Sequence, residues 1–283
     1  MHEIKKVAVL GGGVMGRGIA LTVARAGYDC LLFDIKEDVL ANAHAYSKKF
    51  LAKSVEKGKM SEDDKDKVLV RMGYSTDTED LVADLIIEAV PERLDLKQKV
   101  LLPIERQNDP SCIIASNTST IPITRIAAGL ERPERVIGLH FFNPAPIMKL
   151  VEIISGVATS EEVMESIAVF SRKLNKTAVH TKDEPGFIVN RVARQFYLES
   201  QRIVEEQTAD FAAVDRLIKS SGFRMGPFEL MDLIGIETNH SVSQSMYEAF
   251  FYEDRFRPGR IQQKKVDAGH FGRKTGKGFY DYP

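Results

Sequence analysis

The chain has 283 residues, 43% hydrophobic and 28% charged, enough for a sizeable core and for two domains at roughly 100–200 residues each. Its formal charge is −1, from 39 basic and 40 acidic residues, which argues against a nucleic-acid binder, whose domain would carry a basic excess or stripe. No apolar run approaches the length of a membrane span.

In chain order, "MHEIKKVAVL" enters a strand at once, with no signal-peptide core and no arginine-rich transit segment, so a cytoplasmic protein is expected. "KKVAVLGGG" is a β-branched strand running into glycines. "VMGRGIALTVARAG" is helical, with Gly27 as its C-terminal cap. "YDCLLFD" is a second strand, and the helix that follows runs to Gly58. "ADLIIEAV", "SCIIASN" and "RVIGLHFF" read as further buried strands separated by helices. Cys30 and Cys112 lie in such strands and are expected to be buried, reduced thiols. This alternation predicts an α/β fold: a Rossmann-type, doubly wound, mostly parallel sheet. From about residue 160 the pattern changes, and after Pro185-Gly186 only helices and turns remain. The expected division is a nucleotide-binding domain over 1–183 and a smaller all-helical domain over 184–283. Ile188, Val192 and Phe196 recur at i, i+4, i+8 and predict a buried stripe on the first helix of that second domain.

Gly11, Gly13 and Gly16 form a G-x-G-x-x-G between the first strand and the first helix, and Asp34 ends the next strand 18 positions later. That context suits a dinucleotide. The glycines permit a tight turn, close approach of backbone to pyrophosphate and close helix–strand packing, and the carboxylate meets the adenosine ribose. Asp34 would repel a 2′-phosphate, and although Lys36 is nearby, no arginine follows it, so NAD is expected rather than NADP. Hydride transfer from an alcohol needs a base. His140 ends a strand, where open α/β sheets bind ligands, and imidazole titrates near neutrality. Glu152, in "KLVEII", is flanked by apolar residues and needs a partner if buried. A hydrogen bond from His140 would satisfy it and orient the imidazole.

The ordered motifs "GGGVMG", "EAVPE", "SNTST", "GLHFFNP", "MKLVEII", "PGFIVNR", "MGPFELMDLIG" and "GRKTGKGFYDY" span residues 5–282. On them the chain resembles the short-form 3-hydroxyacyl-CoA dehydrogenases, most like the bacterial 3-hydroxybutyryl-CoA dehydrogenases. The resemblance implies NAD-linked interconversion of an (S)-3-hydroxyacyl-CoA and a 3-ketoacyl-CoA. It implies that Ser119 hydrogen-bonds the substrate's 3-oxygen, that His140 is the base with Glu152 its partner, and that Asn190 reaches the substrate from the first turn of the second domain's first helix. It puts Gly11, Gly13, Val14, Met15, Gly16, Asp34, Glu92, Lys97, Ser119, Asn143 and Lys274 at the cofactor. Lys49, Lys53 and Lys57 share one helix face, in a region that meets coenzyme A phosphates in the family; Lys53 and Lys57 are assigned to substrate. A homodimer through residues 184–283 is expected, because so small a helical domain carries many apolar residues. No metal, nucleic acid or membrane is expected as partner.

Three rivals stand beside this reading. Dehydrogenases of free 3-hydroxy acids use a lysine in a glycine-rich helix start, where this chain has "DEPGFIVNR". A non-catalytic structural relative would not need Ser119, His140, Glu152 and Asn190 all intact. A relative acting on a dicarboxylic ester such as 3-hydroxyadipyl-CoA would share every motif.

Overall fold

Short β-branched runs separated by helices build one sheet in the computed structural model, which describes residues 3–283. The strands and helices of the first part are β1 (Lys6–Leu10), α1 (Val14–Arg25), β2 (Asp29–Phe33), α2 (Glu37–Glu56), α3 (Glu62–Val70), β3 (Met72–Ser75), β4 (Leu85–Glu88), α4 (Leu94–Gln107), β5 (Ile113–Ser116), α5 (Ile123–Ala127), β6 (Val136–Phe141), β7 (Leu150–Ser155), α6 (Glu161–Lys173) and β8 (Thr177–Lys182). The eight-stranded order is β3-β2-β1-β4-β5-β6-β7-β8. Among the described residues, β6–β7 is the only antiparallel pair of neighbours in this sheet. The order reverses beside β1, so the loops after β1 and β4 diverge at the C-terminal edge and leave a crevice there. The central strands are apolar on both faces because helices cover both: Val7, Val9, Leu85 and Ile87 on one face and Ala8, Leu10, Ile86 and Ile114 on the other are at most 2% exposed.

The chain divides into two compact units after Glu184. The second unit, Pro185–Pro283, holds α7 (Val189–Glu205), α8 (Phe211–Ser220), α9 (Pro227–Ile234), α10 (Ile236–Ala249) and α11 (Arg260–Asp267). Phe228, Met231, Ile236, Val214 and Tyr197 form its apolar core. Two buried aspartates tie its end down: Asp232 accepts from the Phe279 and Tyr280 amides and from the Tyr282 hydroxyl, and Asp215 accepts from the Phe228 and Glu229 amides and the Tyr280 hydroxyl.

Of the stripe predicted for α7, Phe196 packs against the second unit's core, and the other two positions are corrected. Val192 is 69% exposed and Ile188 39%. The inward face of α7 carries Arg194, Tyr197, Leu198 and Gln201 instead. Two of these are polar and hydrogen-bond other helices, so a hydrophobicity period puts them on the wrong side. Cys30 and Cys112 are free and buried, and burial pushes both thiols well above their ordinary values. Among the described residues no helix is long and apolar enough to cross a membrane, and no group of His, Cys, Asp or Glu side chains could hold a metal.

Candidate active site

The turn from β1 into α1 is built around its glycines. Gly11 has φ +99°, and a Cβ there would lie 2.7 Å from the Ala89 carbonyl oxygen. A Cβ on Gly16 would lie 1.7 Å from the Gly11 carbonyl oxygen, so the helix can approach the strand only without a side chain. Gly13 has nothing within 4 Å of the position its Cβ would take. It is the N-cap of α1, with no side-chain cap and no acidic residue in the first turn. The amides of Val14, Met15 and Gly16 therefore begin a helix whose positive end is not neutralised by the protein, which fits a bound pyrophosphate. Val14 is exposed and Met15 half-buried. Asp34, just past β2, accepts from the Gly12 amide at 2.8 Å and the Lys36 amide at 3.0 Å. Both bonds aim its carboxylate at the mouth of the glycine turn, and the residues present fit an NAD ribose and pyrophosphate.

His140 and Glu152 face each other across the antiparallel β6–β7 pair. Residues directly opposite share a face with Cβ atoms about 5 Å apart, which sets up the side-chain contact. His140 Nδ1 lies 2.7 Å from Glu152 Oε2, and the two residues are 5% and 1% exposed. A carboxylate only accepts, so Nδ1 carries the proton and Nε2 of the neutral ring is an acceptor. Ser119 Oγ lies 3.2 Å from that Nε2. The Phe142 ring, 4.6 Å from the imidazole by centroids, shields one side.

The loop carrying Ser119 is held by Glu92 and Lys97, both expected at the site, and by Glu88, Asn117 and Thr118, which were not. Glu92 Oε1 accepts from Thr118 Oγ1 at 2.6 Å, from the Ser119 amide at 2.8 Å and from the Thr120 amide at 3.0 Å. Burial alone would raise the Glu92 carboxyl, but the Lys97 charge and the bonds from Thr118 and Ser119 outweigh it and hold it below its usual value. Lys97 is 1% exposed, and its ammonium lies 2.7 and 2.9 Å from the Glu88 carboxylate oxygens and 3.1 Å from Glu92 Oε2. It is thus sealed between two carboxylates. Glu88, fully buried, also accepts from Ser116 Oγ at 2.6 Å and from the Val90 amide at 2.7 Å. Asn117 accepts from the Phe141 amide at 2.8 Å, which clips the loop to the strand bearing His140. Glu88, Asn117 and Thr118 lie in the motifs "EAVPE" and "SNTST", but the sequence does not say what they bond, since a buried polar residue shows its partners only in the fold.

The remaining sites are dispersed. Asn143 is exposed, in the loop after β6, and that loop is pinned by Lys176, whose ammonium donates to the Ala145 and Met148 carbonyls at 2.5 and 2.6 Å. Lys49 and Lys53 are exposed on α2, with exposed Lys57 as its C-cap. In the second unit, Asn190 sits half-buried in the first turn of α7, and Lys274 pairs with Glu237.

Residues 6–184 match the model of the 3-hydroxyacyl-CoA dehydrogenase NAD binding domain, and residues 186–282 match that of the 3-hydroxyacyl-CoA dehydrogenase C-terminal domain. A 3-hydroxyadipyl-CoA dehydrogenase of Escherichia coli is 43% identical over 100% of this chain, which spans 60% of that protein's length. A probable 3-hydroxybutyryl-CoA dehydrogenase of Bacillus subtilis is 41% identical, over 99% of this chain and 98% of the relative. The crystal structure of (S)-3-hydroxybutyryl-CoA dehydrogenase from Ralstonia eutropha superposes with a TM-score of 0.96 at 37% identity, covering 99% of this chain and 100% of that one.

Proposed function

The chain belongs to the 3-hydroxyacyl-CoA dehydrogenase family, and from that premise we propose that it oxidises (S)-3-hydroxyacyl-CoA esters reversibly to 3-ketoacyl-CoA with NAD. The observation that carries this reading is the hydrogen-bonded chain from buried Glu152 through buried His140 to the half-buried Ser119 hydroxyl, at 2.7 and 3.2 Å. We take 3-hydroxybutanoyl-CoA as the substrate, on the likeness to the Bacillus and Ralstonia proteins; the Escherichia relative favours a dicarboxylic ester as the second reading.

In the oxidation, His140 Nε2 takes the proton of the 3-hydroxyl, while the Ser119 hydroxyl donates to the same oxygen and fixes its place. Glu152 stabilises the imidazolium that forms, and Nδ1 keeps its proton throughout. NAD+ held at the α1 N-terminus supplies the acceptor for the hydride leaving C3. In the reverse direction the imidazolium returns the proton. Asn190 is assigned to holding the substrate, and Asn143 to the nicotinamide side of the cofactor site. Glu92 and Lys97 are assigned to the cofactor site with a qualification: Lys97 is enclosed, so it acts through Glu92, which in turn holds the Ser119 loop. Lys274 is assigned to the cofactor, and the exposed lysines Lys53 and Lys57 to coenzyme A phosphates. The first unit is then the NAD-binding domain and the second the substrate and dimerisation domain. A cytoplasmic location suits two buried free thiols.

The direct test is NADH formation from (S)- and (R)-3-hydroxybutanoyl-CoA. Turnover of the S ester alone supports the reading, and turnover of neither contradicts it. Asp34 sets the cofactor choice: wild type is expected to use NADH far better than NADPH, and Asp34→Ala to narrow that gap by removing both the ribose contact and the repulsion of a 2′-phosphate. Equal use of both cofactors by wild type would contradict the Asp34 argument. The proposed homodimer is supported by apolar residues exposed on the second unit, Val192, Phe223, Leu233 and Ile234 among them. Light scattering is expected to return about twice 31.7 kDa, and a monomer mass would contradict it.

A further inference from the structure

The loop that joins β6 to β7, residues 142–149, is gripped by a buried lysine that the reaction as described does not use. Lys176 stands just before β8 and is 9% exposed. Its ammonium donates to the Ala145 carbonyl at 2.5 Å and to the Met148 carbonyl at 2.6 Å. No carboxylate pairs with it among the described residues. Burial, and then the charge of Arg25, push the Lys176 pKa down to about 8, so the fold works against a charge that it still keeps at neutral pH.

The same loop is seated on α1. Ala145 is 2% exposed and belongs to the core of the first unit. A Cβ on Gly18 would lie 3.3 Å from Pro146 Cδ and 3.4 Å from Ala145 Cβ, so the bare backbone of α1 lets the loop lie against it. The Ile147 and Met148 amides both donate to the Pro144 carbonyl, at 2.9 and 3.0 Å, which closes a tight turn. The turn leaves the Ala145 and Met148 carbonyls in need of donors. One ammonium, with three donors and no acceptor, satisfies both. Asn143, two residues before Ala145, stays exposed.

This seat has a functional location. The loop leaves the strand that bears His140 and lies on the helix whose N-terminus fits the pyrophosphate. Hydride transfer needs the nicotinamide between those two places, against the carbon whose hydroxyl meets His140 Nε2.

We propose that Lys176 is a positioning residue for hydride transfer: by locking the 142–149 loop onto α1 it holds Asn143 at the nicotinamide end of the cofactor. The adenosine end is left to the glycine turn and Asp34. This rests on the dehydrogenase reading above and adds a residue to it.

The test measures, by calorimetry, the binding of NADH and of ADP-ribose, which lacks the nicotinamide. Lys176→Met is expected to raise the NADH dissociation constant by about 10-fold, the scale of one charge-assisted hydrogen bond, and to leave ADP-ribose binding as in wild type. Turnover of acetoacetyl-CoA at saturating NADH should fall as well, with KM for the ester near wild type. Lys176→Arg keeps a cation able to donate to both carbonyls and should recover most of the NADH affinity. Gly18→Ala presses on the same loop from α1 with Lys176 intact, and should weaken NADH by a smaller factor without weakening ADP-ribose. NADH affinity unchanged in Lys176→Met would overturn the proposal. NADH and ADP-ribose weakened equally would overturn it in favour of a general structural clamp. If Lys176→Met does not fold, Gly18→Ala decides, and unchanged NADH binding in that variant would overturn the proposal. A wild type that binds NADH but reduces no 3-ketoacyl-CoA would remove the dehydrogenase reading itself, and this role in hydride transfer with it.

Discussion

Glu152→Gln is expected to lower turnover by roughly 10²–10⁴-fold, the range spanned by a positioned general base. The substitution keeps the size and an acceptor for the His140 Nδ1 proton, 2.7 Å away in wild type, but it deletes the negative charge. The imidazolium formed during oxidation then develops in a buried site without its counter-charge. NADH affinity should change little, because the glycine turn and Asp34 hold the cofactor independently. A purely structural role makes the opposite forecast: a lower melting temperature with near-normal turnover in the folded fraction. Because replacing a buried charge by a neutral isostere can leave stability unchanged, turnover per folded molecule is the quantity that separates the two.

Lys97→Met is expected to cost about 3–5 kcal/mol of stability, the usual penalty for removing one partner of a buried ion pair. Glu88, fully buried, would lose the ammonium 2.7 Å away, and Glu92 would lose the charge that keeps it ionised. The damage should spread to the Ser119 loop, since Glu92 accepts from three groups there. The variant should therefore show a raised KM and a lower kcat as well as a lower melting temperature. Glu88→Leu combined with Lys97→Met removes both members of the inner pair and should recover part of the stability. A Lys97→Met protein as stable as wild type would show that Lys97 does not hold the network. The Glu92 shift has its own consequence for pH. Its folded pKa is depressed, so the stability it contributes is present at neutral pH and is lost as pH falls through that lowered value.

The parallel sheet and the glycine turn are legible in the sequence because they depend on local signals: β-branched runs, helix spacing and glycines where a Cβ has no room. The His140–Glu152 pairing is legible for another reason, since two polar residues inside apolar strands each need a partner. The network of Glu88, Asn117 and Thr118 is not, because it is assembled by β4, β5 and the loop that follows, and nothing in "ADLIIEAV" or "SCIIASN" records who bonds whom. The buried face of α7 escapes for a related reason. Arg194 and Gln201 look like solvent-facing residues to any hydrophobic period, yet both point inward and hydrogen-bond side chains of other helices. Polar side chains buried with partners from distant segments are where pattern reading fails, and here they lie close to the residues assigned to substrate.

The most direct test of the central claim, that His140 moves the proton, is the turnover of His140→Gln with (S)-3-hydroxybutanoyl-CoA and NAD+, measured beside its NADH dissociation constant. The account predicts a loss of turnover at least as large as that of Glu152→Gln, with NADH binding close to wild type. Near-normal turnover in a folded His140→Gln protein would contradict it.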